Sequence, residues 1–97
     1  MKVVSLRFSV FIFDKLMEIN EKYNVPEKIP ILVPKVHSFL TIGEIKEDTV
    51  SIYLDDLNKK PLHFINAVLK KGQSFIININ NGLRIQISIL DITEVED

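Results

Sequence analysis

Two runs near the C-terminal end of the chain alternate with a period of two, on either side of Asn80-Asn81-Gly82. Phe75, Ile77 and Ile79 alternate with Ile76, Asn78 and Asn80. Leu83, Ile85, Ile87 and Ile89 alternate with Arg84, Gln86 and Ser88. Successive side chains on a strand point to opposite faces, so this pattern dictates a hairpin with one buried face. A two-residue turn at Asn81-Gly82 would set Ile79 against Arg84 and Ile77 against Gln86. A three-residue loop, residues 80–82, sets Ile79 against Leu83, Ile77 against Ile85 and Phe75 against Ile87. It also puts Gly82 in the left-handed position that such a loop needs. The second register is expected, because a one-residue slip turns a whole strand inside out.

The composition supports sheet. Ile (15) and Val (9) carry most of the apolar content and Ala occurs once, a β-branched bias. At 97 residues, 46% of them hydrophobic and 26% charged, the chain is expected to form a single globular domain, 1–97. The absence of Cys removes disulfides, thiolate metal ligands and Cys nucleophiles. Residues 2–7 show no signal-peptide pattern, and the longest apolar run, residues 10–13, is far short of the roughly 20 residues that span a bilayer; a cytoplasmic protein is expected. Abundant Lys with scarce Gln and Gly suits an AT-rich or a thermophilic source. The net charge of −1 is uneven. Residues 91–97 hold four acids and no base, and without them 12 basic side chains face 9 acidic ones, a body of +3. This stretch reads as a solvated acidic tail, or as one that shields a basic patch.

Residues 2–8 alternate as a half-buried strand, with Val4, Leu6 and Phe8 on one side and Val3, Ser5 and Arg7 on the other. From Ser9, or alternatively from Asp14, a helix to about residue 24 is expected, since Val10, Phe13, Leu16, Ile19 and Tyr23 recur at helical spacing. Pro26, Pro30 and Pro34 then forbid an ordinary helix over 25–38. That stretch is too apolar for a solvated loop and reads as an extended arm packed on its own domain or on a second subunit. Residues 39–46 and 49–54 read as a hairpin around Glu47-Asp48, pairing Ile45 with Val50, Gly43 with Ile52 and Thr41 with Leu54. A second helix is expected from Asn58, burying Leu62, Ile65, Val68 and Leu69 and ending at Gly72.

The order β-α-β-β-α-β-β fits a ferredoxin-like α+β sandwich with an extra C-terminal hairpin strand and two helices on one face of an antiparallel sheet. A small curled β-barrel capped by the second helix is the alternative. The ferredoxin-like form leaves one sheet face open. On it would lie Val3, Ser5, Arg7, Leu40, Ile42, Glu44, Lys46, Thr49, Ser51, Tyr53, Ser74, Ile76, Asn78, Arg84, Gln86 and Ser88. Arg7, Lys46, Tyr53, Asn78, Arg84 and Gln86 combine cations, amides and one aromatic ring, the chemistry that holds phosphates and stacks bases. Asn58, Lys59 and Lys60, at a helix start, form a second candidate site, for an anion. Phe11, Ile29, Ile31 and Val33 are candidate oligomer contacts. His37 and His63 lack neighbours at metal-ligand spacing. Asp55 and Asp56 are adjacent and diverge, Asp14, Glu18 and His63 meet only by tertiary accident, and no Ser has a nucleophile-elbow context. Neither a catalytic residue, a metal nor a cofactor is expected.

Residues 2–25, Lys-Val-Val-Ser-Leu-Arg-Phe-Ser and a following segment that ends Glu-Lys-Tyr-Asn-Val, resemble the opening of ribbon-helix-helix DNA-binding proteins. The resemblance spans a quarter of the chain and stops where Pro26, Pro30 and Pro34 replace the family's second helix. It implies a strand that pairs with its copy and turns Val3, Ser5 and Arg7 toward DNA. The residues themselves favour a non-enzymatic binding module acting as a homodimer. A nucleic-acid-binding protein comes next and a small-molecule enzyme third.

Overall fold

The computed structural model describes residues 1–35, 38–56, 64–80 and 82–96. Eight strands run through it: β1 (Lys2–Ile12), β2 (Lys15–Val25), β3 (Ile31–Leu32), β4 (Ser38–Ile45), β5 (Thr49–Asp56), β6 (Phe64–Lys70), β7 (Ser74–Asn80) and β8 (Leu83–Glu94). They form two antiparallel sheets. The terminal sheet has the order β2-β1-β8-β7 and the middle sheet β3-β4-β5-β6. Apart from β1 with β8, every paired strand is also a neighbour in sequence. This is the order of an up-and-down barrel opened at two seams, between β2 and β3 and between β6 and β7.

One apolar layer joins the sheets. Leu6, Phe8, Val10, Ile85, Ile87 and Ile89 enter it from the terminal sheet, and Leu40, Ile42, Val50 and Ile52 from the middle sheet; all are essentially inaccessible. Each such side chain contributes about 1.5–3 kcal/mol of burial. The Cα trace is 18 Å across its thinnest direction, as two sheets about 10 Å apart require.

The ferredoxin-like α+β expectation and its barrel alternative are both corrected, because both need helices and the described residues contain none. The first expected helix is the strand β2. Phe13 and Asp14 both have positive φ, 48° and 67°, which makes a two-residue primed turn that returns the chain antiparallel to β1. Met17 is then an extra residue opposite the step from Val10 to Phe11. This bulge puts Leu16 and Ile19, three apart, on one side of a strand, and Tyr23 follows four later. An i, i+3, i+7 stripe is therefore produced by a bulged strand as well as by a helix. The second helix is likewise β6 over residues 64–70, and its expected start at Asn58 lies outside the described residues. Leu69 points into the core, but Val68 is exposed. Gly72 keeps its left-handed φ of 87° in the turn from β6 to β7 rather than at a helix end.

The proline stretch packs on its own domain. Lys28 N–H donates to the Ile42 carbonyl at 2.7 Å and Val33 N–H to the Ser38 carbonyl at 3.0 Å, and β3 pairs Ile31 with Leu40. In the middle hairpin, Ile45 meets Val50 as expected, but a bulge at Gly43 then pairs Ile42 with Ile52 and Leu40 with Leu54. Leu40 and Ile42, expected on an open face, are for that reason buried. The last hairpin has two of the expected pairs, Ile77 with Ile85 and Phe75 with Ile87, but the expected Ile79–Leu83 pair and the loop over residues 80–82 are corrected: the irregularity falls at Ile79, and Asn80 pairs with Leu83. Gly82 has a φ of 82°. The acidic stretch is not a free tail throughout, because residues 91–94 complete β8 and pair with β1.

The ribbon-helix-helix resemblance fails structurally for the same reason. Residues 15–25 are strand, β1 lies between β2 and β8, and Val3 is buried.

Candidate functional site

The pairing register decides what shares the outer face of the terminal sheet. Arg7 lies between Glu21 on β2 and Ser88 on β8. Ser9 lies between Ile19 and Gln86, and Phe11 between Leu16 and Arg84. On β7, Asn78 adjoins Arg84 and Ile76 adjoins Gln86. Four of the six residues expected to contact nucleic acid, Arg7, Asn78, Arg84 and Gln86, are therefore gathered on one face. Lys46 and Tyr53 are on the other side of the sandwich: Tyr53 faces outward from the middle sheet, and Lys46 follows β4. The expectation of one continuous face holding all six is corrected, because the chain builds two sheets where a single sheet was expected.

Both arginines on this face are already engaged. Arg7 donates from Nε and Nη2 to Glu21 Oε1 at 2.9 and 2.6 Å. The Tyr23 hydroxyl donates to the other oxygen of Glu21. The Tyr23 hydroxyl and then the Arg7 guanidinium hold the Glu21 carboxyl below its ordinary range, while the same contact pushes the Tyr23 phenol up. Arg84 is bound to Asp14 across the two hairpin tips and stacks over the Phe11 ring, 5.7 Å from its centroid, a favourable cation–π arrangement. Across the molecule, the Tyr53 ring lies against Gly43, where an added Cβ would collide with it. One side of this aromatic platform is thereby occupied.

Of the expected oligomer contacts, Val33 is fully buried and Ile31 packs against the core of its own domain. Ile29 is exposed, and Phe11 is half-buried beneath Arg84. Asn58, Lys59, Lys60, His37 and His63 lie outside the described residues.

A row of exposed apolar groups lies on β2, and three of them, Leu16, Ile19 and Tyr23, are residues that the helical reading assigned to a buried stripe. Leu16, Met17, Ile19 and Tyr23 are 48–61% exposed, and Phe13 at the adjoining turn is 77% exposed. β2 is an outermost strand, and its far edge pairs with no strand among the described residues. Eleven residues is long for an edge strand. Across the seam the next strand, β3, is only two residues long, and from that side Lys35 reaches Glu18 on the inner face of β2. That face carries Lys15, Glu18, Asn20 and Lys22. The signal that distinguishes this strand was present in the sequence: over residues 18–23, Glu18, Asn20 and Lys22 alternate with Ile19, Glu21 and Tyr23.

A groove of about 370 Å³ opens beside β2, walled by Val10, Ile12, Met17 and Leu83. Glu18 and Lys35 stand 3.6 Å apart at its rim, across the seam between the sheets. Glu18 Oε1 also accepts from Asn20 Nδ2 at 2.8 Å. The Asn20 amide first, and the Lys35 charge after it, hold the Glu18 carboxyl below its ordinary range.

These observations define an antiparallel β-sandwich in which β2, an outermost strand, carries exposed apolar groups and pairs along its far edge with no strand among the described residues. Compared with protein-family models, with curated proteins and with solved structures, the chain finds no match in any of the three. No helix among the described residues is long and apolar enough to cross a membrane.

Proposed function

We propose that the protein is a non-enzymatic interaction module that acts as a homodimer, joined along β2. The observation that carries this reading is the edge itself: an eleven-residue strand whose far edge pairs with no strand among the described residues and which carries four exposed apolar side chains. Natural edge strands are normally blunted by charge, proline, bulges, inward-pointing charges or short length. β2 is long and has no proline, and its apolar groups point outward; its two bulges leave residues 18–22 regular, and Lys15, Glu18 and Lys22 on its inner face are the blunting features it keeps. Strand addition by a second copy satisfies the backbone and covers the apolar groups together. Phosphate binding by the outer face has less support, because the guanidinium groups of Arg7 and Arg84 are held by carboxylates of their own chain.

Light scattering coupled to size exclusion tests this reading. The wild-type chain is expected to elute with the mass of a dimer. Ile19→Lys places a charge in the apolar row at an exposed position and is expected to yield a folded monomer with an unchanged circular-dichroism spectrum. A wild-type chain that stays monomeric at millimolar concentration overturns the proposal.

A further inference from the structure

We infer that β2 selects a second copy of itself in one register, with Asn20 against the partner's Asn20 and Glu18 against the partner's Lys22. This inference rests on the homodimer reading above and specifies how the two copies recognise each other.

Two bulges frame the regular part of the edge. One lies at Met17, and the other sets Tyr23 and Asn24 against Ser5 alone. Between them, residues 18–22 pair with residues 6–10 of β1 in uninterrupted register. This five-residue run is the regular part of the strand, and its centre is Asn20. Two antiparallel edge strands related by a two-fold axis normal to the sheet place one residue opposite its own copy. The other pairs follow from that centre, and each face of one sheet continues into the same face of the other.

Only a few centres are available, and charge separates them. A centre at Glu18, Glu21 or Lys22 puts a charge opposite its own copy, which is destabilising. A centre at Ile19 sets Met17, a bulged residue, against the partner's Glu21, and keeps only three pairs within the regular run. A centre at Asn20 keeps all five pairs inside it. Glu18 then faces the partner's Lys22, and by symmetry this opposite-charge pair occurs twice. On the outer face, Ile19 faces the partner's Glu21 and lies diagonal to the partner's Tyr23, within reach of a ring. The apolar groups of the two copies thus adjoin across the axis. The result is a continuous eight-stranded sheet made from two terminal sheets.

Charge exchange tests the register. Glu18→Lys alone sets Lys against Lys, and Lys22→Glu alone sets Glu against Glu. Each single variant is expected to dimerise roughly tenfold or more weakly than the wild type. Mixing the two single variants pairs opposite charges at both positions again, and the mixture is expected to form a heterodimer near wild-type strength. The doubly exchanged chain is expected to recover in the same way. Analytical ultracentrifugation of each protein and of the mixture reads these outcomes, with circular dichroism confirming that every variant is folded. Single variants that dimerise as tightly as the wild type, or a mixture that fails to recover, overturn this register. If Ile19→Lys is still monomeric in that case, the edge itself survives as the interface. A monomeric wild type overturns both.

Discussion

Gly43 shows what one residue without a side chain does for this sandwich. It is the extra residue of a bulge on β4, and the Tyr53 ring occupies the space a Cβ would need. Gly43→Ala is expected to displace that ring and lower stability by about 1–3 kcal/mol, as overpacking does. Adding Tyr53→Ala to Gly43→Ala should cost much less than Tyr53→Ala alone, and urea denaturation of the four proteins measures the coupling. On the opposite face, Glu21 holds Arg7 and Tyr23 at once. Its carboxyl titrates below its ordinary value of 4.5, so its contribution is present above that value and is lost as pH falls through the folded-state value. The Tyr23 phenol titrates above 10.0. Its contribution is present below that value and is lost as pH rises through the raised one. Stability should therefore fall at both extremes, and Glu21→Gln should flatten both limbs. Urea midpoints recorded at intervals between about pH 2 and pH 11 test this.

At the scale of elements, the sequence was most legible where alternation is unbroken. β7 and β8 were readable with two of their three expected apolar pairs, and so was the outer row of Arg7, Asn78, Arg84 and Gln86; the expected Ile79–Leu83 pair was lost where Asn80 takes Leu83. Legibility failed at bulges. Met17 gives β2 the apolar spacing of a helix, and Gly43 moves Leu40 and Ile42 from the expected open face into the core. Each adds one residue to a period of two, which pattern reasoning reads as a new face or a new element. β6 failed for another reason. Ile65 and Leu69 are four apart, a spacing that both periods satisfy, and only the exposure of Val68 decides between them. The candidate edge was hidden as a direct result: once residues 15–24 read as helix, their apolar side chains had to be buried. In the proline stretch between β2 and β4, only Ile31–Leu32 is strand among the described residues, between turns at residues 27–28 and 34–35, and its sequence cannot say whose core receives Val33.

For the whole molecule, the decisive contact is between the first strand and the last. β1 and β8 pair from Lys2 with Glu94 to Ile12 with Leu83, one bulge apart from continuous register. Val95 N–H donates to the Met1 carbonyl at 2.7 Å. A circular permutant that joins residues 96 and 2 through a short linker and opens the chain at the exposed turn between Glu47 and Asp48 should fold to the same sandwich. Its thermal melt should remain cooperative, with a midpoint within a few degrees of the parent; a non-cooperative melt would contradict the account of which contacts hold the fold. The same pairing bears on biosynthesis. A ribosome releases β1 before β8. The four strands of the middle sheet leave it as one continuous run, with their partners next to them in sequence. Until residues 83–94 emerge, the edge of β1 that β8 covers in the folded protein stays open. During that interval the nascent chain presents a bare strand edge to chaperones and to mispairing.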